Sequence, residues 1–151
     1  MVLSTIYMRT TIEDPRFEVK ESRPGTGLGL FAKVDIKKGD FILEYTGEKL
    51  PNAIADTHPG RYLFEIDDKW TINGEGEENT ARYINHDCYP NVEAEIDEDD
   101  RILISATRAI KAGQELLIDY GDEYFDEFIR PGGCKCASCE KGLKSPHYKK
   151  Q

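Results

Sequence analysis

The sequence predicts a small, mostly-β domain, and three observations carry that prediction. Apolar and polar residues alternate over short runs, as in Phe17 to Lys20 and Tyr62 to Ile66, which is the period of a half-buried strand. Turn-forming clusters separate these runs at close intervals, among them Arg23-Pro24-Gly25-Thr26-Gly27 and Lys37-Lys38-Gly39-Asp40. No internal repeat, heptad pattern or long linker breaks the series, and short strands at this spacing favour a mostly-β domain over a βαβ sheet.

Taken in order, Phe17 to Lys20 is a first strand, and Leu28 to Val34 a second after the glycine-rich loop. Phe41 to Glu48 reads as one further strand. Pro51 to Gly60 has no clear period and is expected to be an irregular loop with at most a helical turn. Tyr62 to Ile66 turns through Asp67-Asp68-Lys69 into Trp70-Thr71-Ile72, and Gly74 to Glu78 is a glycine and glutamate loop. Asn91 to Ile96 and Arg101 to Ala106 form a hairpin around the acidic tip Asp97-Glu98-Asp99-Asp100. Glu115 to Ile118 is the last strand, and Asp122 to Arg130 a short helix before Pro131-Gly132-Gly133.

The 151 residues amount to one domain, enough to bury a single core. A formal net charge of −9 argues against non-specific nucleic-acid binding and for attraction of basic partners. No apolar run approaches the roughly 20 residues that span a bilayer. Met1 to Thr11 has no basic stretch followed by an apolar core, so no secretory signal is expected. Three of the four cysteines, Cys134, Cys136 and Cys139, form Cys-x-Cys-x-x-Cys, and Cys88 is the fourth. Without signs of secretion, such a cluster reads as a zinc site more readily than as disulfides.

Four segments carry functional chemistry. Gly27-Leu28-Gly29 opens a strand after a turn, where glycine lets a backbone approach a ligand closely. Glu44-Tyr45-Thr46-Gly47 places a tyrosine in a strand. Arg82 to Asn91 reads Arg-Tyr-Ile-Asn-His-Asp-Cys-Tyr-Pro-Asn, too polar for a core strand and too rich in side-chain chemistry for an ordinary turn. Glu115 to Gly121 reads Glu-Leu-Leu-Ile-Asp-Tyr-Gly. In this order the four segments resemble the motifs of the SET-domain protein lysine methyltransferases, over about residues 16 to 142.

The resemblance implies a SET-domain fold: small β-sheets, few short helices, and a C-terminal segment threaded in a knot-like arrangement beneath a preceding loop. It implies methylation of the lysine ε-amine of a basic, histone-like protein, with S-adenosyl-L-methionine as donor. Thr26, Gly27, Leu28 and Gly29 would cradle the methionine part of that cofactor. Tyr62, Arg82, Asn85 and His86 would contact it too, Asn85 at its amino-acid end and His86 through its backbone at the adenine. Tyr120 and Tyr45 are the catalytic candidates. Tyr45, Phe64 and Ile118 would line the lysine channel, where ring faces attract a methylated ammonium. Ile118 departs from the usual phenylalanine or tyrosine. Without a hydroxyl to hold a water there, di- or trimethylation is expected.

In relatives with a cysteine-rich tail, a cysteine at the position of Cys88 joins those at Cys134, Cys136 and Cys139 to hold structural Zn²⁺; the spacing here is two residues shorter than usual. Free or disulfide-bonded cysteines are the alternative. The implied layout is an N-terminal extension over 1–15, a SET domain over 16–122, a zinc-binding tail over 123–142 and a flexible basic C-terminus over 143–151. The insert between Gly47 and Tyr62 is short, so the peptide groove is open or completed by a second subunit or a partner. The expected location is soluble and intracellular: nuclear in a eukaryote or when delivered to a host, otherwise cytoplasmic. The competing implication is a non-catalytic SET-like module that binds a peptide or a partner.

Overall fold

A computed structural model of the chain describes residues 14–24 and 26–150. Apart from Asp14 and Pro15, the expected N-terminal extension lies outside them. The elements are β1 (Phe17–Glu21), β2 (Leu28–Ala32), β3 (Phe41–Tyr45), β4 (Glu48–Pro51), α1 (Asn52–Ala55), β5 (Leu63–Glu65) and β6 (Trp70–Asn73). After a 3-10 turn at Thr80–Tyr83 come β7 (Asn85–His86), β8 (Val92–Ile96), β9 (Ile102–Ala106) and β10 (Leu117–Ile118). The tail holds α2 (Asp122–Tyr124) running into a π-helical turn at Phe125–Ile129, then α3 (Ala137–Glu140) and a 3-10 turn at Pro146–Lys150.

The described strands form four small sheets: β1-β2, β3-β9-β8, β4-β6-β5 and β7-β10. The hairpin around the acidic tip pairs Val92 with Ala106 and Ile96 with Ile102. The run expected as one strand from Phe41 to Glu48 is instead split, with β3 pairing to β9 and β4 to β6. A Cβ at Gly47 would lie 1.9 Å from the carbonyl oxygen of Asn73, so only glycine lets the chain pass between the two sheets. Fully buried Asn79 braces the break: its Oδ1 accepts from the Thr46 amide at 3.0 Å, and its Nδ2 donates to the Gly74 carbonyl at 2.9 Å.

β7 and β10 run parallel, Asn85 opposite Leu117 and His86 opposite Ile118. The loop after β7 wraps the same segment. Asn91 accepts from the Leu117 amide through Oδ1 at 2.8 Å and donates from Nδ2 to the Glu115 carbonyl at 2.9 Å. The C-terminal segment thus passes against loop 85–91, the contact that knot-like threading requires.

The main core gathers Phe17, Leu30, Ile36, Ile42, Ile84, Val92, Ile104, Ile110 and Leu116 where the small sheets meet. A second cluster forms under the tail from Cys88, Phe125 and Cys136, with Tyr89, Ile129 and Tyr148 against it. In the segment 143–151, read in the sequence as a flexible basic C-terminus, several residues pack against the body. Ser145 and His147 are buried, and Tyr89 donates its hydroxyl to the Lys144 carbonyl. Apolar burial against Phe125 and hydrogen bonds to the body hold a segment whose lysines alone suggest fraying.

Candidate active site and metal centre

One cleft of about 1540 Å³ collects most of the functional candidates. Thr26, Gly27 and Leu28 form one wall, and Arg82, Asn85 and His86 the next. Tyr45, Tyr62, Phe64, Ile118 and Tyr120 line the cleft as well, joined by Tyr124. Gly27 has φ +80°, a left-handed conformation that favours glycine in the loop entering β2. Gly29 does not line the cleft: a Cβ there would lie 2.4 Å from Glu115 Oε2 and 3.2 Å from Asn85 Nδ2. Its contribution is to let those two side chains close behind the strand.

Glu115 is a residue the sequence reading did not single out. Its Oε1 accepts from the Ser22 hydroxyl at 2.7 Å and its Oε2 from Asn85 Nδ2 at 2.8 Å. Asn85 Nδ2 also donates to the Leu28 carbonyl at 3.0 Å. With its amide hydrogens held by Leu28 and Glu115, Asn85 offers its oxygen as an acceptor to a ligand amine. Nearby, the Arg82 guanidinium lies 4.6 Å over the Tyr62 ring, and its Nη1 donates to the Glu75 carbonyl at 2.5 Å. Its Nε is buried without a hydrogen-bond partner, a donor that suits a bound carboxylate. Both residues line the cleft, and an amine acceptor together with an unsatisfied cationic donor fits the zwitterionic end of an amino-acid-bearing cofactor such as S-adenosyl-L-methionine.

The tyrosines are pinned. Tyr45 donates its hydroxyl hydrogen to the Tyr62 carbonyl at 2.8 Å, and its ring lies 5.3 Å from that of Phe64. Tyr120 donates to the Ile84 carbonyl at 2.8 Å. Both phenolic hydrogens are therefore committed to backbone, and the hydroxyl lone pairs remain as acceptors. Burial, reinforced by neighbouring tyrosines, pushes both phenols well above the ordinary tyrosine range, so both stay neutral at physiological pH. Tyr120 is 38% exposed as a residue, but its hydroxyl sits inward against Ile84, and the hydroxyl decides its ionisation.

His86 Nδ1 accepts from the Tyr120 amide at 3.1 Å, and its ring lies 5.3 Å from the Tyr120 ring. Burial lowers its pKa, partly opposed by Asp119. The ring is a neutral structural acceptor that seats the Tyr120 backbone.

The four cysteine sulfurs lie within 4.8 Å of one another, with Cys88 Sγ 3.6 Å from Cys134 Sγ and 3.8 Å from Cys139 Sγ. A tetrahedral thiolate site with Zn–S bonds of about 2.3 Å has edges of about 3.8 Å, so the set fits zinc. The short Cys-x-x-Cys spacing is accommodated because Cys136 caps the N-terminus of α3, where its side chain accepts from the Cys139 amide. Cys136 Sγ accepts from the backbone amides of Cys88 and Cys139 at 3.5 Å each. Burial pushes the Cys88 and Cys139 thiols up, Cys139 to about 12. Burial also opposes ionising Cys136, but the Cys88 and Cys139 amides outweigh it and bring that thiol below its ordinary value. Four thiolates so close together require a cation, which Zn²⁺ would supply. All four cysteines are free of disulfides. The same tail reaches the glycine loop, where Arg23 Nη2 donates to the Lys135 carbonyl at 2.6 Å. Cys134 and Cys136 border the cleft.

A sequence model of the SET domain matches residues 27–121. Histone-lysine N-methyltransferase 2D of Homo sapiens is 35% identical over 129 residues, covering 78% of this chain and 2% of its own length. Histone-lysine N-methyltransferase trr of Drosophila melanogaster is 37% identical over 129 residues, covering 78% of this chain and 5% of its own. Histone-lysine N-methyltransferase, H3 lysine-4 specific, of Emericella nidulans is 39% identical over 126 residues, covering 74% of this chain and 10% of its own. The chain thus spans a small part of these much longer relatives. With the four motifs folded around one cleft and the match running from the glycine loop to Gly121, the chain belongs to the SET-domain family.

Proposed function

We propose that the chain transfers methyl groups from S-adenosyl-L-methionine to the ε-amine of lysine in a basic, histone-like protein. The observation that carries this reading is the meeting, in one cleft, of the Gly27–Asn85–Arg82 wall with pinned, neutral Tyr45 and Tyr120. The bound cofactor would supply a methyl group on an activated sulfonium, so the protein's task is to bind, orient and exclude water. Asn85 Oδ1 receives the cofactor's amino group and Arg82 its carboxylate, with the Glu115 carboxylate behind Asn85 adding attraction for the ammonium. The rings of Tyr45, Phe64 and Tyr120 form an apolar sleeve for the lysine stem. Desolvation there favours the neutral amine that must attack. The Tyr120 hydroxyl oxygen, fixed by its bond to the Ile84 carbonyl, accepts an N–H of that amine and points its lone pair along the transfer line.

Two further features support the same reading. The net charge of −9 draws in a lysine-rich peptide. Ile118 lines the cleft without a hydroxyl, which leaves room for the amine to turn after the first transfer and makes di- and trimethyl-lysine the expected products. Relatives named for histone-lysine methylation favour a histone tail as substrate and the nucleus as location, and no described helix is long and apolar enough to cross a membrane.

The test is transfer of labelled methyl groups to a histone panel, read by mass spectrometry. Tyr120→Phe should lower kcat by tenfold or more while the dissociation constant for the cofactor, measured by calorimetry, stays within twofold. A wild-type protein that binds a basic peptide and never transfers a methyl group would be a binding module instead. Monomethyl-lysine as the sole exhaustive product would remove the assignment to Ile118.

A further inference from the structure

His147 lies in the C-terminal turn, outside every motif, yet it is among the most enclosed polar side chains, at 3% exposure. Its ring stacks on buried Phe125, with centroids 4.3 Å apart and planes 15° apart. Nδ1 lies 2.6 Å from Asp122 Oδ1, and Nε2 lies 2.9 and 2.8 Å from the two Asp119 oxygens. The backbone of the same residue is also fixed, since its carbonyl accepts from Arg130 Nη2 at 3.0 Å and its amide donates to Ser145 Oγ at 3.2 Å. One imidazole therefore bridges the two aspartates that bracket Tyr120-Gly121.

We infer that His147 is a positioning residue for Tyr120, acting through Asp119. Asp119 has two neighbours that bear on Tyr120. Its Oδ1 accepts from the Gly121 amide at 2.9 Å and lies 3.8 Å from His86 Nδ1, the atom that receives the Tyr120 amide. Gly121 has φ +97°, so the chain leaves Tyr120 through a turn that the Asp119 carboxylate has to hold closed. A freely rotating Asp119 would release that turn and let the Tyr120 hydroxyl drift from the Ile84 carbonyl. In proximity catalysis, a displacement of about 1 Å can lower the rate by about a hundredfold. His147 fixes the rotation by holding both Asp119 oxygens. Through this bridge the order of the tail is felt at the site, in addition to anything zinc does.

This inference rests on the methyl-transfer reading, and the experiment separates the two. In the zinc-loaded full chain, His147→Gln keeps an amide donor near the Nε2 position, facing Asp119. His147→Asn keeps one near the Nδ1 position, facing Asp122, and His147→Phe keeps only the stack on Phe125. We expect kcat to fall about tenfold in His147→Phe and His147→Asn, and His147→Gln to recover most of it. Peptide KM, cofactor affinity and zinc content should change less than twofold in all three. Hydrogen exchange at the Tyr120 and Gly121 amides should quicken in the two impaired variants only. Equal kcat in all variants with unchanged exchange would overturn the inference. So would loss of zinc and turnover together in every variant, which would make His147 a general fastener of the tail. If the wild-type chain transfers no methyl group, the functional reading fails, and the exchange rates alone decide whether His147 holds this turn.

Discussion

In the sheet body, Leu30, Ile42, Ile84, Val92, Ile104 and Leu116 are buried to 2% exposure or less and interlock across two sheets and the residues that lead into the β7-β10 pair. In the tail after Gly121, Phe125 is the one comparable apolar side chain among the described residues. The tail is held instead by polar and sulfur contacts: four cysteines at zinc spacing, His147 between two aspartates, Arg23 on Lys135 and Ser138 on Asp87. A core held by apolar area fails as a unit. A tail held by discrete cross-links can be released while the body stays folded. The cleft lies between the two, so its body-side wall should be rigid and its tail-side wall conditional on the cross-links.

Removing the metal should break this contrast most strongly. Structural zinc contributes about 10–16 kcal/mol in isolated zinc-finger peptides, far more than the other tail contacts could replace. Chelation, or Cys136→Ser, should make the segment after Gly133 susceptible to protease and reduce methyl transfer more than tenfold. Hydrogen-exchange protection at Leu30 and Ile104 should persist. If the body loses protection together with the tail, the two regions form one cooperative unit and the contrast is wrong.

The reverse perturbation comes next in size. Ile104→Ala removes a buried side chain from the centre of the β3-β9-β8 sheet and should cost about 2–5 kcal/mol. The urea midpoint should fall with an unchanged slope, because the surface exposed on unfolding is the same. Zinc content of the remaining native protein should be unaltered. Zinc loss at urea concentrations well below the unfolding midpoint would mean that the metal site draws its stability from the sheet core.

The same division explains what the sequence disclosed. β1, β5, β8 and β9 lie close to their expected ranges, and along most of β8 and throughout β9 every second residue is the more buried, the period that alternation records directly. The motif residues Tyr45, Asn85, His86 and Tyr120 converge on the cleft. The clustered cysteines converge as well, since ligand spacing within a short loop is a local property. The missed features depend on distant partners. Glu115 acts on Asn85 and Ser22, 30 and 93 residues away in sequence. His147 acts on aspartates 25 and 28 residues back, and a terminus rich in lysine gives no local hint of a buried imidazole. The break between β3 and β4 is of this kind too, since the run from Phe41 to Glu48 carries strand-like residues throughout. What interrupts it is the Asn73 carbonyl against Gly47 and the Asn79 side chain, neither of which is local to the run.

Asn79 therefore offers the smallest and sharpest test, because it is a polar cross-link placed inside the body rather than in the tail. Asn79→Ala leaves the Thr46 amide and the Gly74 carbonyl without their partner and should cost about 1–3 kcal/mol, less than the core truncation. Asn79→Asp keeps the acceptor for Thr46 but turns its second oxygen toward the Gly74 carbonyl. When ionised, that oxygen can only repel; when protonated, it can donate. Burial and the facing carbonyl raise the folded-state pKa of the new carboxyl above its unfolded value. The penalty therefore grows as pH rises above the unfolded pKa and is relieved as pH falls toward it. Urea unfolding at pH 5 and pH 8 should show Asn79→Asp closer to wild type at the lower value, with Asn79→Ala offset equally at both. Both variants should retain zinc and a protease-resistant tail, since the strain falls on the body-side wall behind Tyr45. Release of the tail by either substitution would mean that the two walls of the cleft are coupled through the β3–β4 break.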